Sequence, residues 1–307
     1  MSRVVVVKYS GNPENRFLVR GQYDILLKAG FSALAGSDAY AAYLKKRFSG
    51  GATGIKTNCL SRLNPTLIPL VDALSGLLTV AAGTKENDII VWERTSRELS
   101  DAGFALNASS FGRRCLGTDA AGGYDNSRFY ESGRVSSMVT RILTELADHS
   151  INLGVLKHHS VAGMSAGMKN MYGAIHNPNK YHANNCSPFA ADISNLEPIR
   201  TKHRLTLTDA IRVQCDNGPG FSSRSIVHYN GLILSEDPVA ADRVALEILD
   251  HVRVSSGRQP LAKTSQQVKY LEPAEKIGLG VAALERIDLV VKIVAADGSV
   301  RDGELLT

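Results

Sequence analysis

The chain has 307 residues, 44% hydrophobic and 21% charged, with 35 Lys and Arg against 30 Asp and Glu for a net charge of +5. That length can bury a full core as one α/β domain spanning 1–307, or as two lobes, and the composition excludes disorder as the default state. The positive charges are scattered with no Lys/Arg block, so a nucleic-acid partner is not indicated, and no apolar run approaches the ~18 residues of a membrane span.

The N-terminus runs straight into Val4-Val5-Val6-Val7 without a signal-peptide pattern, so a cytoplasmic location is expected and no membrane partner. Residues 3–8 read as a strand. Residues 37–48 read as a helix with Ser37 or Asp38 as N-cap. A strand at 53–59 follows, then a helix at 66–82 carrying Leu67, Leu70, Val71, Leu74, Leu77 and Leu78 at helical spacing. Pro69 falls in its first turn, where it is tolerated. A strand at 88–93 leads to a short helix at 96–102, ended by Gly103. A helix at 135–148 and a buried strand at 151–156 come next. Residues 168–175 read as a short helix, and 204–207 and 211–215 as two β segments around Asp209. A strand at 226–234 precedes a helix at 238–249 with Asp237 at its N-cap and Pro238 at N1. The last strand is 289–294. Strand–helix alternation at this spacing predicts an α/β fold with a mostly parallel sheet flanked by helices on both faces. Segments 107–130 and 259–273 read as surface excursions.

The densest chemistry lies in Lys157-His158-His159-Ser160-Val161-Ala162-Gly163-Met164-Ser165-Ala166-Gly167-Met168-Lys169-Asn170. It sits at the carboxyl end of a strand, where ligands bind in open α/β sheets. Gly163, Ser165 and Gly167 make a small-residue turn before a helix, whose amides and dipole suit an anion. Lys169 in the first turn of that helix opposes the dipole unless an anion is present. The expected site has Lys169 as neutraliser or nucleophile, His159 as general acid/base, and Lys157 and Asp209 in support. Lys56 and Asn58 close an early strand and reach the same rim, with Asn170 and Asp237 as further binding residues. Asp242, just over one turn beyond Asp237, faces that rim too. Gly163-Met164-Ser165-Ala166-Gly167 also matches an esterase elbow, which would need Asp209 or Asp237 and then His228 or His251. The segment 172–192 is rich in polar residues; His182, Cys186 and Asp192 are candidate metal ligands. Cys59, Cys115, Cys186 and Cys215 form no Cys-x-x-Cys pair. They read as reduced thiols, with a metal or an iron–sulfur cluster as the sharper alternative.

With these residues in view the chain resembles the family called domain of unknown function 362. Lys56-Thr57-Asn58 matches its early Lys-x-Asn, and Lys157-His158-His159 its strand-end Lys-x-His. Lys169-Asn170-Met171-Tyr172-Gly173 and Thr208-Asp209-Ala210-Ile211 follow in order. So do Gly218-Pro219-Gly220, Asp237-Pro238-Val239-Ala240-Ala241-Asp242 and Gly278-Leu279-Gly280. The resemblance implies little mechanism; many relatives add a cysteine-rich ferredoxin-like segment that these residues lack. The stretch from His159 to Lys169 is also similar to the nickel-pincer lactate racemase family, with Ala166 where that family usually has glycine. That similarity implies that Lys169 and His159 are paired in space. The expectation is an enzyme acting on a small anionic ligand, bearing a carboxylate or phosphate, by Lys/His acid–base chemistry. A metal-binding redox protein and a non-catalytic anion binder are the alternatives. The oligomeric state is left open.

Overall fold

The computed structural model describes residues 1–11 and 17–306. In chain order they form β1 (Ser2–Tyr9), α1 (Arg20–Ala35), α2 (Tyr40–Phe48), β2 (Thr53–Lys56), α3 (Ile68–Leu77), β3 (Ile89–Glu93), α4 (Ser96–Asp101) and β4 (Arg114–Gly117). Next come β5 (Tyr130–Ser132), β6 (Val135–Ser137), β7 (His149–His159), β8 (Gly163–Ser165), α5 (Gly167–Asn170), α6 (Ala183–Cys186), α7 (Phe189–Ser194) and α8 (Glu197–Lys202). The chain ends with β9 (His203–Gln214), β10 (Ile226–Ser235), α9 (Pro238–Ser255), α10 (Leu271–Lys276), β11 (Ile287–Val294) and β12 (Val300–Asp302).

One ten-stranded sheet gathers them in the order β12-β11-β1-β10-β9-β7-β2-β3-β4, with β8 folded back on β7. The run β9-β7-β2-β3-β4 is parallel throughout, as is β1-β11. β10 lies antiparallel between β1 and β9. This is the mostly parallel α/β sheet that the strand–helix alternation predicts. Central strands bury both faces and are therefore apolar along their length, as in Val4-Val5-Val6-Val7. One face is covered by α1, α2 and α3 over Val5, Val7, Ile55, Val91, Leu153 and Leu207. The other is covered by α9 over Val4, Val6 and Ile233, and by α7 and α10 with the segment after α5 over Ile90 and Trp92. Among the described residues no helix is long and apolar enough to cross a membrane.

Several local expectations are corrected. Helix α1 is absent from the reading above, although Tyr23, Leu26, Leu27, Phe31 and Leu34 are buried at helical spacing. Gly30 disguises the pattern, and it has a packing reason: an added Cβ would lie 3.0 Å from Leu234 Cδ1. α2 starts at Tyr40, with Ala39 rather than Ser37 or Asp38 at the N-cap. The helix expected at 135–148 is instead β6, paired in a hairpin with β5, followed by one π-helical turn (Ile142–Leu146). The two β segments around Asp209 are one continuous strand, β9. Segment 107–130 is only partly a surface excursion, because β4 within it pairs with β3 and buries Cys115 and Leu116. Segment 259–273 likewise buries Leu261, Tyr270 and Leu271.

Candidate functional site

Parallel strands β2 and β3 end side by side while the neighbouring β7 runs on past them, and polar residues stand at all three ends. β2 delivers Lys56 and, two residues on, Asn58; β3 ends in Glu93, followed by Arg94. β7 runs on to His159, past Asn152, its last partner in β2, and turns back as β8. In that hairpin Lys157 sits opposite Ser165, His158 opposite Met164, and His159 opposite Gly163. Side chains alternate along a strand, so Lys157, His159 and Ser165 share one face. Their face opens on a cavity of about 460 Å³, also lined by Lys56, Asn58, Glu93, Arg94, Glu98, Lys169, Asn170, Tyr172 and His182. His158 points the other way. Its Nδ1 accepts the Gly218 N–H at 3.1 Å, which leaves Nε2–H to donate to Gln266 Oε1 at 2.8 Å.

The charges of this cleft are unevenly matched. Lys56 Nζ donates to Glu93 Oε1, and Glu93 also accepts from the backbone N–H of Cys59 and Arg94 at 2.8 Å each. Arg94 pairs with Glu98 at 2.7 Å. Lys157 and Lys169, 4% and 8% exposed, form no ion pair among the described residues. Lys157 Nζ donates to Asn58 Oδ1 at 2.7 Å. Asn58 Nδ2 donates to Asn170 Oδ1, Asn170 Nδ2 to Asn152 Oδ1, and Asn152 Nδ2 to the Gly167 carbonyl, at 3.0, 2.8 and 2.7 Å. Lys169 Nζ lies 3.5 Å from the centroid of the Tyr172 ring and 3.2 Å from His182 Nε2. Burial lowers both lysines to about 8.

Hydrogen bonding settles both imidazole tautomers. His182 Nδ1 lies 3.1 Å from the Pro178 carbonyl, which can only accept, so Nδ1 carries the proton and Nε2 accepts from Lys169. His159 Nδ1 accepts the backbone N–H of Val161 and Ala162 at 3.1 Å, so its proton is on Nε2. Burial, then the positive charge of Lys169, pushes His159 down to about 3, so it is neutral at physiological pH. The two rings stack with centroids 6.0 Å apart.

Of the residues singled out from sequence, Lys56, Asn58, Lys157, His159, Ser165, Lys169, Asn170 and His182 line this one cleft. The rest do not. The amide cradle at Gly167 is occupied by the chain itself: Asp242 Oδ1 and Oδ2 accept the Gly167 and Met168 N–H at 2.7 and 3.0 Å, and Tyr270 Oη donates at 3.1 Å. Asp242 therefore faces the expected rim but fills it. Gly163 faces Gln266, not the cavity. Asp209 is buried beside Arg212, holds the Ile211 N–H at 2.9 Å, and lines no part of the cleft. Asp237 caps α9 through the Val239 and Ala240 N–H and accepts from Val281 N. Ser165 ends β8 one residue before the α5 cap, but Asp209, Asp237, His228 and His251, the partners an esterase serine would need, do not line the cleft with it. Cys186 lies against Tyr172, and Asp192 accepts the Arg134 N–H at 2.9 Å; His182 faces the cleft without them. Among the described residues no group of three His, Cys, Asp or Glu is gathered as metal ligands. The four cysteines are buried apart, with Cys59 and Cys115 in one apolar cluster, Cys186 in a second and Cys215 in a third. Glu93, Arg94 and Tyr172 carry weight that the sequence reading did not give them. The first two follow the apolar run Ile89-Ile90-Val91-Trp92 as Lys56 and Asn58 follow β2, so the same strand-end logic finds them.

Fold and cleft together define a class: an α/β sheet protein with a lysine-lined, net-cationic cavity at the carboxyl ends of adjacent parallel strands. The chain belongs to the family described as Domain of unknown function (DUF362), whose model matches residues 54–247. That stretch contains every cleft residue named above. No curated protein matches the chain. A crystal structure of a protein from Thermotoga maritima is similar at a TM-score of 0.43 and 11% identity, over 78% of this chain and 60% of that one. The chain thus spans about 60% of that protein's length.

Proposed function

We propose that this protein is an enzyme that takes a small carboxylate- or phosphate-bearing molecule into the cleft and works on it by amine–imidazole proton transfer. One observation carries the reading: two lysines, each more than nine-tenths buried, share the cavity wall without a carboxylate partner. A buried charge with no counter-charge costs several kcal/mol, and an anionic ligand offsets that cost by pairing with both. Glu93 does not serve, because Lys56 already holds it. In this reading Lys157, steadied by Asn58, grips the anion, and His159 donates from Nε2–H to a ligand oxygen. The tautomer and neutrality of His159 support a donor role over the acid/base role expected from sequence, and the Lys169–His182 contact supports that pair as the proton-moving unit.

The test is calorimetric titration of inorganic phosphate and of oxalate, one probe for each anion type. Wild type binds at one site. Lys157→Met and Lys169→Met each lose about tenfold or more in affinity, equivalent to about 1.4 kcal/mol, while the melting temperature of the ligand-free protein does not fall, because each variant removes an unpaired buried charge. Binding weakens as pH rises through about 8, because the ammonium form is the one that pairs with the anion. Unchanged affinity in both variants, or affinity flat from pH about 7 to about 9, overturns the reading.

A further inference from the structure

The cleft's cations differ in what accepts their protons. Lys56 and Arg94 are ion-paired to the carboxylates of Glu93 and Glu98. Lys157 faces an amide oxygen, which takes no proton near neutral pH. Lys169 faces the lone pair of a neutral imidazole at 3.2 Å, and that imidazole is oriented from behind by the Pro178 carbonyl. The Tyr172 ring closes one side of the Lys169 amine and His182 another, leaving the cavity as its open side. A desolvated lysine with an adjacent base is the arrangement that makes an amine a nucleophile toward carbonyl carbon.

We propose that Lys169 forms an imine with a small oxo acid, a molecule carrying a ketone or aldehyde beside a carboxylate or phosphate, with His182 as proton acceptor and Lys157 as partner of the anion. This rests on the anion-binding reading above and adds a covalent step to it. His182 Nε2 takes one proton from the Lys169 ammonium. The freed nitrogen lone pair attacks the carbonyl carbon, and the π pair moves onto oxygen. A proton passes from that nitrogen to the oxygen, giving a neutral carbinolamine. The His182 imidazolium then protonates the new hydroxyl, the nitrogen pair expels it as water, and a protonated C=N remains. One water leaves for each C=N formed, no oxidant or reductant is consumed, and His182 returns to its neutral form. His159 Nε2–H is available to the oxo acid's oxygen throughout.

The experiment incubates the full chain with pyruvate at pH about 8, where half of the Lys169 amine is free, and traps any imine with cyanoborohydride. Intact mass and peptide mapping follow. The expected result is one reduced pyruvate adduct, on the peptide bearing Lys169, suppressed by added inorganic phosphate. Lys169→Arg gives no adduct at that peptide yet still binds phosphate, because the charge is kept. His182→Gln slows trapping about a hundredfold, the scale of a lost proton-transfer partner, while phosphate affinity changes little. Phosphate binding without an adduct at Lys169 overturns the covalent step and leaves the anion-binding reading standing. Failure of both phosphate binding and trapping overturns the two together. Adducts spread over other lysines, at equal yield in Lys169→Arg, overturn the assignment to this residue.

Discussion

Glu93→Gln tests whether the cleft floor is an ion pair removed from water. Glu93 accepts three hydrogen bonds, from Lys56 Nζ, Arg94 N and Cys59 N. The two side chains of the pair are 1% and 5% exposed. Glutamine keeps one accepting oxygen, placed for Lys56 and Arg94. Its amide nitrogen then faces the Cys59 N–H donor to donor, and a buried unpaired N–H costs about 1–3 kcal/mol. The Lys56 ammonium also loses its counter-charge, and breaking a buried pair by removing one partner costs about 3–5 kcal/mol in all. A loss of about 4 kcal/mol is expected, or roughly 8 °C in melting temperature at about 2 °C per kcal/mol for a chain of this size. The assay is urea denaturation, comparing Glu93→Gln, Lys56→Met and the double variant. The double variant recovers at least half of the summed single losses, because it leaves no lone charge behind. A Glu93→Gln loss below about 1 kcal/mol, the value of a surface pair, or strict additivity in the double variant, refutes the reasoning.

Two further outcomes are open to direct measurement. Burial raises Asp209 and Asp242 to about 6, so the native state holds these protons to higher pH than the unfolded chain. Their contribution to stability is full below the unfolded carboxylate range, near 4, and is lost as pH rises through about 6. The urea midpoint of wild type relative to Asp242→Asn, which lacks one of these titrations, should show that decline from pH 4 to 7; a constant difference between the two would contradict it. Gly154→Ala places a methyl 2.5 Å from the Ala166 carbonyl oxygen, forcing the turn before α5 away from β7. A stability loss of about 1–3 kcal/mol should come with weakened phosphate binding through displacement of Lys169; a variant as stable as wild type would show that the turn gives way freely.

The sheet was readable because central strands bury both faces and so appear as apolar runs, and the cleft because polar residues follow those runs directly. Lys56, Asn58, Lys157 and His159 could be named on that rule alone, and Lys169 because its charge opposes the dipole of the helix it opens. Their electrostatic roles could not. Asp242 fills the Gly167 amides from 75 residues away in sequence, a contact that exists only once α9 packs under α5. The tautomer of His159 depends on the hairpin turning back within three residues, and a three-residue strand such as β8 is too short to show periodicity. The hairpin β5–β6 was hidden for the same reason, its residues standing next to apolar positions that mimic a helix. The metal set at His182, Cys186 and Asp192 shared a segment of chain but not a direction, because Asn184, Asn185 and Cys186 take positive φ and turn the backbone between them.

The row of amides running from Lys157 through Asn58, Asn170 and Asn152 to the Gly167 carbonyl has one sense only. A carbonyl fixes the first donor, and each amide's oxygen then fixes the next. Asn58, Asn152 and Asn170 stand on three separate stretches of chain, yet leucine at any of them leaves a mismatched neighbour on each side, and aspartate sets oxygen against oxygen on one. Substitution by leucine or aspartate at any one of the three reads out at the other two. Descent with modification would therefore have to exchange them as a block.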